Sequence, residues 1–218
     1  MRFFRRKETP PVERPDPETL AEWFWIRWYE MLPEVAAALG DREPQRVENQ
    51  LCDLVADLHP ELHFSLERGQ KAIYALVLSG QEDPRLRPYT DAWRAAAPAT
   101  DAIWEFHDSV PPVPDPTQVT VNLGAHRVPL ADIRVVAQVD GDVVDVAVYH
   151  PEMAALEPAA RDAMTYLPLD AALGERRAAE RLRRVETATT EPEDTIGLLE
   201  FRTLVEDLER PENVGGPD

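Results

Sequence analysis

Cysteine is almost absent from this 218-residue chain. Cys52 stands alone, which excludes an intramolecular disulfide and a thiolate metal cluster. Its setting, Gln50-Leu51-Cys52-Asp53-Leu54, reads as a buried small hydrophobe in a helix. Serine is scarce too. Ser65, Ser79 and Ser109 are the only ones, and none sits in a Gly-x-Ser-x-Gly elbow, so a hydrolase nucleophile of that type is excluded. Glycines such as Gly80, Gly124 and Gly141 stand isolated, so neither a Walker A loop nor a dinucleotide fingerprint exists. Lysine is reduced to Lys7 and Lys71, with arginine supplying the other cations, and alanine, proline and valine are abundant. That bias is typical of a high-GC bacterial coding sequence.

No apolar run approaches the length of a membrane span. The start, Met1-Arg2-Phe3-Phe4-Arg5-Arg6-Lys7, is basic and aromatic, but no apolar signal region follows it. A cytoplasmic location is the expectation, with a weak surface anchor through that start as the lesser alternative. Cations are outnumbered as well. Asp and Glu total 41 against 23 Lys and Arg, a formal charge of -18. Such a field repels nucleic-acid phosphates and anionic lipid, so no nucleic-acid partner is expected. His59 and His63 have the spacing of a helical metal pair, but Pro60 disfavours helical geometry at His59 and no second ligand pair accompanies them. Neither a metal nor any other cofactor is expected.

What the chain does have is a hairpin, Ile133 to Tyr149, around Asp140-Gly141. An Asp-Gly pair between two alternating β-branched runs is a strong turn signal, because glycine accepts the positive φ of a type I′ turn. With Asp140-Gly141 as the two-residue loop, Val139 faces Asp142, Ala137 faces Val144, Val135 faces Val146 and Ile133 faces Val148. That face is nearly all apolar. The opposite face, from Arg134 to Tyr149, is mixed.

The remaining chain divides by pattern. Residues 1–16 form a basic, proline-rich tail. A helix starts at Pro17-Glu18, runs through Trp23, Trp25, Trp28 and Tyr29, and ends at Gly40, with a kink at Pro33. Its apolar arc is so wide that the helix is expected to be clamped between two surfaces. A second helix over about Pro44 to Leu58 completes a helical hairpin over residues 17–58. Residues 59–210 form the sheet domain. Strands are expected at Leu62–Leu66, Ala72–Leu78, Ile103–His107 and Val119–Leu123, and helices at Pro84–Ala97 and Pro151–Leu169. Residues 174–189 fit either helix or strand. Asp194 should cap a last helix through Leu208, and residues 211–218 form a mobile tail. No internal repeat is visible. The sum is an α+β fold: one mostly antiparallel sheet of about six or seven strands, helices packed on one face, and the N-terminal helical hairpin.

Three constellations carry the candidate sites. Glu105 and His107 share one strand face, and Tyr149 and His150 end another strand. If those ends meet, a carboxylate, two imidazoles and a phenol converge as a ligand-binding or acid–base site; otherwise they decorate an exposed sheet face. Arg176, Arg177, Arg181, Arg183 and Arg184 run against the acidic background. On a helix, Arg177, Arg181 and Arg184 share a face that would dock an acidic partner or a phosphate, or else pair with Glu175, Glu180 and the acidic C-terminal helix, the reading that the spacing favours. Trp23, Trp25 and Trp28 are either core of the annex or anchors for a partner.

Two stretches, Leu58-His59-Pro60-Glu61-Leu62 with Ala75-Leu76-Val77-Leu78, and Asp83-Pro84-Arg85-Leu86-Arg87-Pro88 with Ala96-Ala97-Pro98 to Trp104-Glu105-Phe106, resemble a bacterial domain family of unknown function. Leu169-Asp170-Ala171-Ala172-Leu173-Gly174-Glu175 is similar to its C-terminal part. The resemblance spans roughly residues 50–208 and implies a small cytoplasmic α+β domain with a strand over residues 181–189. It implies no activity and does not extend to the Trp-rich or Arg-rich segments.

With nucleophile, phosphate loop and metal set all missing, the leading expectation is a non-catalytic interaction domain that binds a protein partner or forms a homodimer. The alternatives are a small enzyme or ligand-binding domain built on Glu105, His107, Tyr149 and His150, and an acidic mimic that binds a basic partner.

Overall fold

The computed structural model describes residues 14–124 and 126–210. The basic-aromatic start and the tail from Pro211 lie outside the described residues. Six α-helices and eight strands form an α+β architecture, but the strands make three small sheets rather than one large one. The first sheet holds β1 (His63–Arg68), β2 (Tyr74–Ser79) and β3 (Trp104–His107) in that order. The second is the hairpin of β4 (Thr120–Leu123) and β5 (His126–Pro129), the latter not anticipated from pattern. The third holds β6 (Arg134–Asp140), β7 (Val143–Tyr149) and β8 (Leu182–Ala188).

The first and third sheets repeat one connectivity that the sequence hides. In each, two strands form an antiparallel hairpin, the chain then passes through helix, and the third strand returns parallel to the second. Two separate apolar clusters result. One joins α1 (Pro17–Gly40), α2 (Glu48–Leu58) and α3 (Arg87–Ala95) to the first sheet, and the other joins α4 (Pro158–Leu173), α5 (Glu175–Arg181) and α6 (Leu198–Leu208) to the other strands.

Local chemistry sets the helix ends. Asp16 accepts the Thr19 amide at 2.8 Å and Pro17 occupies the first turn, a favourable start. The helix passes through Pro33 unbroken. The carbonyl left without its helical donor belongs to Tyr29, four residues back, an exposed residue. The helix ends at Gly40 as expected, but Arg42 rather than the glycine takes the positive φ, at +62°, and the amide of Glu43 reaches back to Ala38 at 2.8 Å. Cys52 on α2 is exposed rather than buried, because it lies off the stripe of Leu51, Leu54, Val55 and Leu58 that faces the core. α4 begins at Pro158 rather than Pro151, after a 3₁₀ turn over Met153–Ala155. Residues 174–189 are both structures in turn: α5, then β8, which occupies the segment where the family resemblance implies a strand. Asp194 does not cap α6; it lies in the preceding turn at φ +57°, and Gly197 holds the cap position.

The main hairpin keeps its expected faces but not its expected register. Val135 pairs with Val148, Ala137 with Val146 and Val139 with Val144, a slip of two residues. Gly141 has φ +66° while Asp142 does not enter positive φ, so the loop is Gly141-Asp142, as in a type II′ turn, and Asp140 joins the ladder. A two-residue slip preserves which side chains share a face. Ile133, Val135, Val144, Val146 and Val148 are all buried.

The two halves meet along a polar seam crossed by the proline loop of residues 108–118. Arg202 on α6 donates to the carbonyls of Ala172 and Val113 at 2.6 Å and Pro114 at 3.0 Å, tying the end of α4 to that loop. Glu175 accepts the amides of Val110 at 3.0 Å and Glu82 at 3.2 Å. Gly174 sits between them at φ +76°, where a Cβ would lie 2.8 Å from Pro112. Both the dihedral and the contact demand glycine. Gly174→Ala is therefore expected to cost about 2 kcal/mol or more in urea unfolding, beyond the usual benefit of alanine in a helix.

Asp170 lies at the same seam. Burial, with Glu82 and Glu175 nearby, pushes its carboxyl from 3.8 up to about 6. The folded chain thus holds a proton that the unfolded chain has lost. Stability from this group declines as pH rises from about 4 to about 6 and is level above. Asp170→Asn is expected to raise the unfolding free energy at pH 8 by about 2 kcal/mol and to differ little from the parent near pH 4, as read from urea curves at the two pH values.

Candidate functional site

Among the described residues, the outer face of α1 carries a run of large apolar side chains left bare. Phe24, Trp25, Trp28 and Val35 point inward and are buried. Trp23, Ile26 and Tyr29 point outward and stay 53%, 59% and 56% exposed. The helix is clamped on one side only. Two three-residue steps put Trp23, Ile26 and Tyr29 on one stripe. Beside this stripe Leu20, Trp23, Phe24 and Ile26 of α1 face Leu54 and Leu58 of α2 across a groove of about 460 Å³. Arg27 and Asp57 form an ion pair at its edge. Arg27 is the only cation of α1, while Glu18, Glu22, Glu30 and Glu34 are all exposed on it. The surface is an apolar stripe with an acidic border.

The three tryptophans of the sequence motif thus separate. Trp25 stacks on Trp93 at 5.0 Å and meets Phe106 edge-on at 4.9 Å, and its Nε1 donates to the Trp93 carbonyl at 2.9 Å. Trp28 meets Trp104 edge-on at 5.0 Å. Truncating either would cost about 3–5 kcal/mol of stability. Trp25 and Trp28 are core; Trp23 alone of the three is available to a partner. Ile26 and the bareness of Tyr29 were missed in the sequence, since periodicity shows that an arc is apolar and not what covers it.

The arginine stretch is spent inside the chain. Arg177 pairs with Glu206 and Glu209 of α6, and Arg181 with Glu209 and Asp142. Arg183 pairs with Asp140 and Asp145 across the third sheet, and Arg184 with Glu186. Arg176 reaches Asp91 and Asp108 in the first half of the chain. The three predicted docking arginines do not share one helix face, because β8 starts at Leu182 and carries Arg184 away from Arg177 and Arg181. Arg177 and Arg181 alone pair with carboxylates at the end of the C-terminal helix; Arg176, Arg183 and Arg184 find theirs elsewhere in the chain.

Glu105 and His107 lie together on β3, in the first sheet, while Tyr149 and His150 lie at the end of β7, in the third. The structure forms the two pairs and, among the described residues, no hydrogen bond links one to the other. Glu105 is 3% exposed. Its carboxylate accepts the backbone amides of Gln70 at 2.7 Å, Lys71 at 2.8 Å and Ala72 at 3.2 Å, and contacts His107 Nε2 at 3.2 Å. Burial alone would raise its pKa; the amide donors and His107 outweigh it and hold the group at about 2. Glu105 therefore anchors the turn between β1 and β2. His150 is buried, which lowers its pKa and keeps it neutral; its Nδ1 accepts the Glu152 amide at 3.1 Å, and its Nε2 has no partner among the described residues. Tyr149 is half-buried beside Arg134 and Ala188 in the ladder. No group of three or more His, Cys, Asp or Glu among the described residues has the geometry to hold a metal ion, and no described helix is long and apolar enough to cross a membrane.

A depressed carboxyl contributes stability that is complete above its ordinary value of 4.5 and is lost as pH falls towards about 2. Glu105→Gln keeps the shape but loses the charge-assisted bonds. It is expected to cost about 2 kcal/mol in urea unfolding at pH 7, with the gap to the parent closing as the pH is lowered through that window.

No protein-family model matches this chain, and no curated protein or solved structure matches it either, so its function has to be read from its own surfaces.

Proposed function

We propose that the chain is a non-catalytic protein-interaction domain, of cytoplasmic location, that takes a cationic protein partner on the outer face of α1. The observation that carries this reading is the stripe of Trp23, Ile26 and Tyr29, each more than half exposed beside the groove lined by Leu54 and Leu58. Large side chains held rigidly in water by a helix whose other face is locked in a core cost little entropy to bury again. The border of Glu18, Glu22, Glu30 and Glu34, in a chain of net charge -18, favours a partner rich in Lys and Arg. Two copies meeting through this face would oppose the same acids, so a heterologous partner fits better than a homodimer. Glu105 supports a non-catalytic reading, since its two oxygens are already occupied by amides.

The test is a comparison of two forms of the full chain in the source cell. The parent should recover a stoichiometric basic partner, released by salt. Trp23→Ala combined with Ile26→Ala should leave the thermal midpoint within about 3 °C, since both side chains are exposed, yet weaken capture by about 100-fold or more. Equal capture by both forms, or a salt-insensitive complex, would defeat the proposal.

A further inference from the structure

We propose that the free edge of β1 is a second docking surface, which takes an extended cationic segment of a partner protein as an added strand. It lies on the other side of α2 from the groove described above and goes beyond the reading of α1.

The backbone sets out the acceptor. β1 is the outer strand of its sheet and pairs with β2 alone. The amide of Tyr74 donates to Ile103 at 2.9 Å, so Tyr74 faces β3, and alternation turns Ala75, Val77 and Ser79 towards β1. Their register partners Glu67, Ser65 and His63 are thereby the hydrogen-bonded residues of β1. Phe64, Leu66 and Arg68 turn their amides and carbonyls outward. No residue among those described bonds to these outward groups. They form a ready template for pairing.

The edge also opens on a space of the right kind. Glu48, Leu51, Cys52 and Ala56 of α2 face Leu62 to Leu66 across a groove of about 690 Å³, closed at its ends by Pro44 and Pro60. A strand laid along β1 would put every second side chain against that helix wall. Two other edges are covered or short. The bridge between Val135 and Ile196, with bonds of 2.9 Å in both directions, closes β6, and β3 is only four residues long. Exposed edges are commonly blunted by central charges, proline or a bulge. The centre of β1, Phe64-Ser65-Leu66, has none of these, and its register with β2 is unbroken.

Charge selects the occupant. Glu48 stands in the wall, Glu61 precedes the strand, Glu67 lies within it beside the single cation Arg68 at its end, and the whole chain carries -18. A segment alternating apolar residues with Lys or Arg satisfies backbone, wall and charge together. A second copy of the chain brings the same acids to the same edge.

The probe is an array of octapeptides alternating Val, Ile, Leu or Phe with Lys or Arg, followed by titration of the tightest peptide into the full chain and amide exchange by NMR. Exchange at Phe64, Leu66 and Arg68 should slow at least about tenfold on binding, and N-methylation of alternate peptide amides should weaken binding by about 100-fold, the loss of several backbone hydrogen bonds. The variant carrying Trp23→Ala and Ile26→Ala should bind the peptide as the parent does. The proposal is overturned if no peptide binds below about 1 mM, if N-methylation has no effect, or if protection falls on α1 instead. It is equally overturned if those three amides are already protected in the free chain, whether by dimerisation or by residues 1–13, as deletion of that segment would reveal. Capture through α1 that survives such a failure leaves the proposed function standing, and loss of that capture with β1 protection intact defeats the proposed function alone.

Discussion

Four indoles and two phenyl rings packed into one cluster hold the first half of this protein together. Trp25, Trp28, Trp93 and Trp104, with Phe24 and Phe106, join α1 to α3 and β3 through stacked and edge-on contacts. Each such pair adds about 0.5–1.5 kcal/mol beyond its burial. Their size fixes the rotation of α1 about its own axis, because no other face of the helix could fill that volume. Once the rotation is fixed, Trp23, Ile26 and Tyr29 have nowhere to go but outward. The interaction surface follows from the core.

The second half has its own, largely aliphatic core, and charged contacts tie its helices to their neighbours. Glu175 and Arg176, at the start of α5, bond across to Glu82, Val110, Asp91 and Asp108, while Arg177 and Arg181 hold α6 and the tip of the main hairpin. Exposed pairs of this kind contribute little singly, about 0–1 kcal/mol, but here they form a connected set around one short helix. Arg202 adds four bonds to backbone carbonyls of the proline loop and α4. The arginine stretch is thereby explained as internal wiring, and the net negative charge that remains is carried by the outer surfaces.

Much of the local structure was legible in the residues. The helix begun by Asp16 and Pro17, the hairpin around Gly141, the strands at Tyr74–Ser79 and Trp104–His107, and the buried face of the main hairpin all follow from spacing and turn chemistry. The exact pairing of the hairpin did not. An Asp-Gly-Asp run offers two turns of equal length, and a slip of two residues leaves the apolar face intact, so the pattern of side chains cannot choose between them. Residues 174–189 were illegible for a different reason. A seven-residue helix running straight into a seven-residue strand shows neither period long enough to be recognised. Of the candidate sites, the arginines named for a partner make ion pairs within the chain, the tryptophan motif splits between core and surface, and the role of Glu105 was invisible because its partners are backbone amides more than thirty residues away.

The sequence by itself determined what most segments are: which longer stretches are helix or strand, which face of each is apolar, and which chemistries lack the residues they need. These are local properties, set by side chains a few positions apart. The tertiary structure decided that the strands divide into three sheets, that two units share one connectivity, that Trp25 is inside while Trp23 is outside, and that the edge of β1 is left unpaired. Those outcomes depend on which faces meet, and faces meet across distances along the chain that periodicity does not record.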